Sequence, residues 1–179
     1  ATLAVIIVNY NTCDLLRACL GSVQAAARYA GFLPTVCVVD NASRDGSAGM
    51  VAAEFPQVQL LALPRNIGFT AANNLALAGL GFAATFPPDL HVHQAAAPPD
   101  YVLLLNADAE LTLGSLRQFM HVMERLPAAG IIGPYLQYGD GRFQHGAFAL
   151  PSLAQVALDL FPLTGVRGAH RLHHSRLNG

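Results

Sequence analysis

The stretch Tyr101-Val-Leu-Leu-Leu-Asn-Ala-Asp-Ala-Glu110 decides the fold of this chain, because a five-residue apolar run stops abruptly at an asparagine and an aspartate. A short unbroken apolar run between polar residues is typical of a strand buried on both faces, as in a parallel sheet covered by helices. The carboxyl end of such a strand lies at the edge where open α/β sheets bind ligands. We therefore expect Asn106 and Asp108 to lie at a ligand-binding edge.

Three earlier apolar runs have the same form, and each is followed by polar residues. The runs are 3–8, 36–39 and 58–63, followed by Asn9 to Asn11, Asp40-Asn41 and Arg65-Asn66, respectively. Helical patterns separate them: Leu16, Cys19, Leu20, Val23 and Ala27 after an Asn11 or Thr12 cap, then Ser47 to Phe55, then 71–84. This alternation predicts an α/β fold with a mostly parallel sheet and helices on both faces, so the four polar ends should line one crevice.

The rest of the chain is expected to complete one domain of residues 1–164. A Pro-rich surface loop is expected at 86–100, followed by a helix that places five apolar residues on one face: Leu116, Phe119, Met120, Met123 and Leu126. A short strand is expected at Ile131-Ile132. It would be followed by a hairpin of Tyr135 to Tyr138 with Phe143 to Phe148, and by a last helix from Pro151 to Phe161. The Gly-, Arg- and His-rich residues 165–179 are expected to form a flexible tail.

Composition excludes several classes of protein. The net charge of −1 offers no basic stripe for nucleic acid. No purely apolar run reaches the roughly 18 residues of a transmembrane helix. The strand-like run that starts at Leu3 has no basic region before it, so we expect no signal peptide in this sequence. The three cysteines in unrelated contexts predict reduced core thiols and a cytoplasmic location, with peripheral association at the inner face of the membrane left open. The histidines at 91, 93, 170, 173 and 174 are expected to be exposed loop residues, not metal ligands.

The missing motifs indicate the type of ligand. Asn9-Tyr-Asn-Thr12 follows the first strand where a dinucleotide-binding fold would have G-x-G-x-x-G and a P-loop would have G-x-x-x-x-G-K-[ST]. An acidic residue after the last parallel strand, without a glycine cradle, favours a diphosphate whose charge is neutralised by Mg²⁺ or Mn²⁺ held on that carboxylate.

Four blocks of sequence carry a family resemblance, in order and over most of residues 3–151. They are Val5-Ile-Ile-Val-Asn-Tyr-Asn11, Val38-Val-Asp-Asn-Ala-Ser-Arg-Asp-Gly-Ser47, Asn66-x-Gly-Phe69 with Ala72-Asn-Asn74, and Leu103-Leu-Leu-Asn-Ala-Asp108, continued by Pro134-x-Leu136 and Asp140-Gly141 with Gln144. The chain resembles the inverting GT-A glycosyltransferases of family 2, especially the rhamnosyltransferase-like branch. The implied fold is GT-A, a Rossmann-like, mostly parallel sheet, with a β-hairpin after the D-x-D-like motif.

The resemblance also implies site residues. The segment Val8, Asn9 and Tyr10 would form the wall that holds the nucleotide base, Asp40 would contact the base or ribose, and Asn66 would lie near the nucleotide and diphosphate. Asn106, Ala107 and Asp108 occupy the place of the D-x-D metal motif, with Asp108 as the metal contact. Asn106 departs from this motif, because many relatives have a carboxylate there, and the expected metal site has one fewer negative charge.

The implied reaction is transfer of a sugar from a UDP- or dTDP-linked donor to a hydroxyl of a glycan or lipid-linked acceptor, with inversion and help from a divalent metal. Relatives supply the catalytic base from a later acidic block, so the base is expected beyond Gly179, with Glu110 and Asp140 as weaker substitutes. The alternatives are a nucleotide-sugar-binding module without turnover and a Rossmann-type oxidoreductase, which the absent glycine fingerprint disfavours.

Overall fold

The computed structural model describes residues 1–90, 92 and 95–144. Its elements in chain order are β1 (Leu3–Asn9), α1 (Cys13–Ala30), β2 (Thr35–Asp40), α2 (Ser47–Glu54), β3 (Gln59–Ala62), α3 (Phe69–Gly79), β4 (Tyr101–Asn106), α4 (Ser115–Arg125), β5 (Leu136–Gln137) and β6 (Phe143–Gln144). These elements fall into two compact units, one of Ala1–Glu124 and one that begins at Arg125. The predicted domain of 1–164 and tail of 165–179 extend past the described residues and stay predictions.

The first unit is built on a four-stranded parallel sheet with the strand order β3-β2-β1-β4. The chain leaves the inner strand β1 through β2 and β3, and then crosses to place β4 on the other side of β1. This reversal of direction is a topological switch point, where open α/β sheets form their ligand crevice. The predicted α/β fold with a mostly parallel sheet is confirmed.

Helices cover both faces of the sheet, as predicted. Successive strand side chains point to opposite faces, so Val5 and Ile7 pack with Leu20 of α1 on one side. Ala4 and Ile6 point the other way, into a second cluster with residues of α3. The β1 side chains from Ala4 to Ile7 are at most 1% exposed, which makes β1 the centre of the core.

Helix α1 follows its sequence pattern closely. All five predicted apolar positions are buried: Leu16, Cys19, Leu20, Val23 and Ala27. The helix ends at Gly31, whose left-handed φ of 78° lets its N–H donate to the carbonyl of Ala27 at 3.0 Å. Among the helices of the described part of the chain, none combines the length and apolarity that crossing a bilayer requires.

Strand β4 is less buried than its sequence predicted. Leu104 is 55% exposed, and the other apolar residues of the strand are only half-buried. Helix α3 packs over β1 and β2, so the face of β4 that carries Leu104 lies beyond its cover in the described structure. The prediction of a strand buried on both faces was therefore wrong for this position, although the strand itself was predicted correctly.

Several boundaries also differ from those predicted. Helix α3 ends at Gly79, not at 84, because Gly81 at φ 94° turns the chain away. Helix α4 ends one residue before the exposed Leu126, since a residue that precedes a proline disfavours helical geometry. Met120 and Met123 are half-buried. The predicted strand at 131–132 is absent, and Ile131 is 92% exposed.

The predicted hairpin is present in the second unit. Strands β5 and β6 pair antiparallel, with Leu136 opposite Gln144 and Gln137 opposite Phe143. The turn is closed by the N–H of Gly141, which donates to the carbonyl of Tyr138 at 2.8 Å. The predicted continuation of the hairpin to Phe148, the helix from Pro151 to Phe161, and the histidines at 91, 93, 170, 173 and 174 lie outside the described residues. The described part of the 86–100 loop is irregular, as predicted.

Candidate functional site

The carboxyl ends of three parallel strands meet at the switch point. In the register of the sheet, Asn9 of β1 lies beside Asp40 of β2, and Val8 of β1 lies beside Asn106 of β4. Asp40 in turn lies beside Ala62 of β3. The structure therefore brings together polar residues that are about a hundred positions apart in the sequence.

Asn9 and Asp40 form the buried base of this edge. Asn9 has no exposed surface, and Asp40 is 2% exposed. The Asn9 amide Nδ2 donates to Asp40 Oδ1 at 2.8 Å and to Ser43 Oγ at 3.1 Å. Asn9 Oδ1 accepts from the Thr12 hydroxyl at 2.6 Å, and Asp40 Oδ2 accepts from the N–H of Ser43 at 3.0 Å. Neutral donors from Asn9 and Ser43 thus satisfy the buried side chain of Asp40.

A second amide pair joins the end of β2 to the loop after β3. The buried Asn41 donates through Nδ2 to Asn66 Oδ1 at 2.9 Å, and its own Oδ1 accepts from the N–H of Ile67 at 2.8 Å. Asn66 Oδ1 also accepts from the N–H of Gly68 at 2.9 Å. Asn66 itself is exposed, so the loop is held in place while this side chain faces solvent.

The residues after β4 alternate between core and solvent. Ala107 is 8% exposed and packs in the core cluster beneath α1, whereas Asn106 and Asp108 on either side are exposed. The turn is closed by the N–H of Ala109, which donates to the carbonyl of Asn106 at 3.1 Å. Within the described residues, the side chains of Asn106 and Asp108 make no hydrogen bond or ion pair with protein. Both are therefore available to a ligand.

The remaining predicted site residues flank this turn. Val8 is half-buried at the end of β1, and Tyr10 is 51% exposed just beyond it. A half-buried aliphatic side chain followed by an exposed aromatic ring can pack against a planar ring of a ligand. These positions are compatible with the base wall that the sequence predicted.

Two thiols lie behind the site and are inert. Burial, followed by the negative charges of Glu110 and Asp108, raises the pKa of Cys19 to about 12. Burial raises the pKa of Cys37 to about 11. The Cys19 thiol donates to the carbonyl of Asn106 at 3.6 Å, so α1 supports the β4 end from below.

A divalent cation would find few protein ligands here. Across residues 1–90, 92 and 95–144, no three His, Cys, Asp or Glu side chains are grouped so that they could hold a metal ion. Mg²⁺ is commonly held by one or two carboxylates together with substrate phosphates and water. The exposed, unpaired Asp108 carboxylate and the Asn106 amide oxygen fit that mode of binding.

Sequence reasoning missed the residues that connect the loops of this edge. Ser43 accepts hydrogen bonds from both the Asn9 side chain and the Asn11 backbone, and Asp45 accepts one from the N–H of Cys13. All belong to polar turns that the sequence shows plainly. The signal that could have found them is the density of Asn, Ser and Asp after both strands, since these side chains bond to nearby backbone groups.

An open groove of about 390 Å³ lies elsewhere on the first unit. It is lined by Tyr29, Gly114, Arg117, Gln118 and His121. Tyr29 is in the last turn of α1, at the opposite end of that helix from the turn after β1. The groove is therefore separate from the carboxyl edge of the sheet.

Comparisons with known proteins agree with this architecture. Residues 4–79 match the family model for glycosyl transferase family 2. An N-acetylglucosaminyl-diphospho-decaprenol L-rhamnosyltransferase from two strains of Mycobacterium tuberculosis is 30% identical over 151 residues, which cover 84% of this chain and 46% of that protein. This chain thus spans about half the length of these curated relatives.

Solved structures show the same fold at lower identity. S. aureus TarS 1-349 superposes with a TM-score of 0.51 at 19% identity, covering 70% of this chain and 33% of that one. The structure of TarS 1-349 in complex with UDP-GlcNAc gives a TM-score of 0.50 at 20% identity, with 70% and 32% covered. Because the identity is low, this likeness shows the GT-A fold and no more. Residues 4–79 therefore match glycosyl transferase family 2, and the sheet that they help to build has the GT-A fold.

Proposed function

We propose that this chain binds a nucleoside-diphosphate sugar at the carboxyl edge of its sheet, as the donor site of a glycosyltransferase. The observation that carries the proposal is the convergence of the β1, β2 and β4 ends on the unpaired, exposed Asp108, within a family 2 domain. UDP- and dTDP-linked sugars are the proposed donors. The structure of TarS with UDP-GlcNAc supports a uridine nucleotide.

The donor is proposed to lie across the edge from β2 towards β4. Val8 and Tyr10 would form the wall beside the base, and Asn9, which has no exposed surface, would support that wall from the core side. Asp40 would lie next to the base or ribose; each oxygen of a carboxylate can accept two hydrogen bonds, so its internal bonds leave capacity for a ligand that reaches its 2% exposed edge. Asn66 would lie near the diphosphate.

Asn106, Ala107 and Asp108 are proposed to form the diphosphate and metal end of the site. Asp108 would hold Mg²⁺ or Mn²⁺, which when bound supplies a Lewis acid at the departing diphosphate. Asn106 can contribute an amide oxygen but no charge. We therefore expect weaker metal binding than a pair of carboxylates would give.

The proposed reaction is a single displacement at the anomeric carbon. An acceptor hydroxyl of a glycan or a lipid-linked glycan attacks as the bond to the nucleoside diphosphate breaks, so the configuration inverts. A carboxylate base takes the proton of the hydroxyl; no residue of this chain is assigned that role. The name of the mycobacterial relative supports a lipid-linked acceptor, which would place the protein at the cytoplasmic face of a membrane.

Calorimetric titration of the 179-residue chain with UDP, dTDP and NADH, each with and without Mn²⁺, tests the donor site. We expect UDP or dTDP to bind with Mn²⁺ present and NADH to give no heat. Binding of NADH alone would favour an oxidoreductase instead. Failure of both nucleoside diphosphates to bind under either condition would reject the proposal.

Turnover is tested separately from binding. Incubation with UDP- or dTDP-sugars and a lipid-linked acceptor should release the nucleoside diphosphate and yield a product whose new anomeric configuration, read by NMR coupling constants, is opposite to that of the donor. Retained configuration would contradict the single displacement. Binding without transfer or donor hydrolysis would identify a nucleotide-sugar-binding module.

A further inference from the structure

Beyond the β1–β2 strand pairing, which ends at Asn9 and Asp40, side-chain hydrogen bonds join two segments at the carboxyl edge. We call residues 9–13, from the end of β1 to the start of α1, the first loop, and residues 40–47, from the end of β2 to the start of α2, the second loop. The N–H of Asn11 donates to Ser43 Oγ at 2.9 Å, and Asn11 Oδ1 accepts from the N–H of Arg44 at 2.8 Å. Asn11 has a left-handed φ of 55°, which asparagine tolerates better than most residues.

Asp45 in the second loop touches the start of two helices. Its Oδ2 accepts from the N–H of Cys13, the first residue of α1, at 2.8 Å. Its Oδ1 accepts from the N–H of Ser47, the first residue of α2, at 3.1 Å and from the Ser47 hydroxyl at 2.5 Å. The first N–H groups of a helix have no partner within the helix, and negative charge is favourable there. One carboxylate therefore caps both helices.

Neither helix has a capping side chain of its own. Thr12 occupies the position before α1, but its hydroxyl donates to Asn9 Oδ1 at 2.6 Å and does not reach the helix. The position before α2 is Gly46, which has no side chain. Loss of Asp45 would therefore remove the cap of α1 and of α2 together.

We propose that Asp45 is a positioning residue that locks the first loop against the second and so holds Val8 to Tyr10 in the geometry that binds the donor base. The inference rests on the proposed function for its ligand. Asp45 acts through Cys13 and Ser47 and does not contact the donor itself. Its role differs from that of Asp108, which is proposed to act through the metal.

The variant that tests this role is Asp45→Asn. An amide of the same shape can accept at only one of its two terminal atoms, so one helix start loses its partner. The matched control is Asp14→Asn, which removes the same charge from the first turn of α1. Asp14 pairs with Arg17 at 2.5 Å, and none of the hydrogen bonds or ion pairs found in the described residues joins it to the second loop. A second variant, Ser47→Ala, keeps the carboxylate and removes one of its partners.

Cys13 provides a probe that needs no ligand. It is half-buried and packs against the core beneath α1, whereas the other two cysteines, Cys19 and Cys37, are buried thiols with raised pKa values. The rate at which iodoacetamide alkylates Cys13, followed by peptide mass spectrometry, reports how tightly the first loop is held. We expect loss of a cap to raise this rate about fivefold to tenfold in Asp45→Asn, less in Ser47→Ala, and under about twofold in Asp14→Asn.

Nucleotide titration is performed on the same proteins. The Kd for UDP or dTDP should weaken about tenfold in Asp45→Asn, while the ratio of the Kd values with and without Mn²⁺ stays as in the wild type. An unchanged alkylation rate in both Asp45→Asn and Ser47→Ala would overturn the inference. So would faster alkylation with an unchanged Kd. If the wild type binds neither nucleotide, the proposed function fails, and the alkylation rates still decide whether Asp45 holds the two loops together.

Discussion

Asn9 lies at the end of β1 with no exposed surface, and its amide bonds to Asp40, Ser43 and Thr12. A buried carboxylate needs such donors, because an unsatisfied charge in the core is strongly destabilising. Asn9 is thus a structural support of the edge as well as a proposed neighbour of the base. The two roles separate experimentally, since one affects unfolding and the other affects binding.

Replacement Asn9→Ala should lower the free energy of unfolding by about 2 to 4 kcal/mol, because Asp40 loses a donor and Thr12 loses an acceptor in a buried site. Urea denaturation followed by circular dichroism measures the change. Asn74→Ala is the control: its amide donates to the carbonyl of Thr85 at a site that is partly open to solvent, and we expect less than about 1 kcal/mol. An equal loss of unfolding free energy in the two variants would show that the hydrogen bonds of Asn9 stabilise the fold no more than those of a partly exposed amide.

Asp45 should also make stability depend on pH. The Ser47 hydroxyl first, and then the N–H groups of Cys13 and Ser47, hold the pKa of Asp45 below its ordinary value of 3.8. A lowered pKa means that the folded state binds fewer protons, so the stabilisation is present above pH 4 and is lost as the pH falls through the folded pKa.

The difference in unfolding free energy between wild type and Asp45→Asn should therefore be constant above about pH 5 and shrink below about pH 4. Urea titrations from pH 2.5 to 7 measure it. Asp100, whose pKa is also lowered, titrates in the same range, and comparison with the variant removes its contribution. If the difference in unfolding free energy stays the same down to pH 2.5, the ionised Asp45 carboxylate does not cap the two helices.

Two glycines have opposite effects on the helices that they adjoin. Gly81 fixes where α3 ends, whereas Gly49 lowers the stability of α2. Gly81 has φ 94°, and a Cβ there would lie 3.1 Å from the carbonyl oxygen of Ala95 and 3.2 Å from the nitrogen of Pro98. Gly49 lies within α2 and would place a Cβ in open space. The same substitution should thus have opposite effects at the two positions.

Gly81→Ala should destabilise the fold by about 1 to 3 kcal/mol through backbone strain and close contacts. Gly49→Ala should stabilise it by about 0.5 to 1 kcal/mol, because alanine loses less conformational freedom in a helix. Thermal unfolding of both variants measures these changes: the Tm should fall in Gly81→Ala and rise in Gly49→Ala. A neutral Gly81→Ala would mean that the chain after α3 can move aside.

Helix starts were harder to predict than helix faces. The apolar stripe of α1 follows from spacing alone, since every buried position repeats at three or four residues. Its cap does not, because Thr12 could have bonded to the helix and bonds to Asn9 instead, while Asp45 arrives from 32 positions away. The local sequence cannot show which side chain will cap a helix when one of the candidates comes from a distant segment of the folded chain.

For the whole molecule, the sequence was sufficient to predict the parallel sheet and its switch point, but not to predict which side chains are exposed. Apolar runs that stop at polar residues predicted all four parallel strands, and the convergence of their ends followed from topology. The exposure of Leu104 and the missing strand at 131–132 depend on which element covers each face, which no short run of residues encodes. The same limit applies to Asp40, whose buried side chain bonds to Asn9, a residue 31 positions away in the sequence.

The linkage between Mn²⁺ and nucleotide binding tests the donor site most directly. Calorimetry would give the Kd for UDP and dTDP, with and without Mn²⁺, for the wild type, Asp108→Asn and the control Glu124→Gln in the last turn of α4. We predict that Mn²⁺ tightens binding about tenfold or more in the wild type and the control, and less than about twofold in Asp108→Asn. An equal Mn²⁺ effect in Asp108→Asn would contradict the assignment of the metal contact, and no binding of either nucleotide to the wild type would contradict the donor site itself.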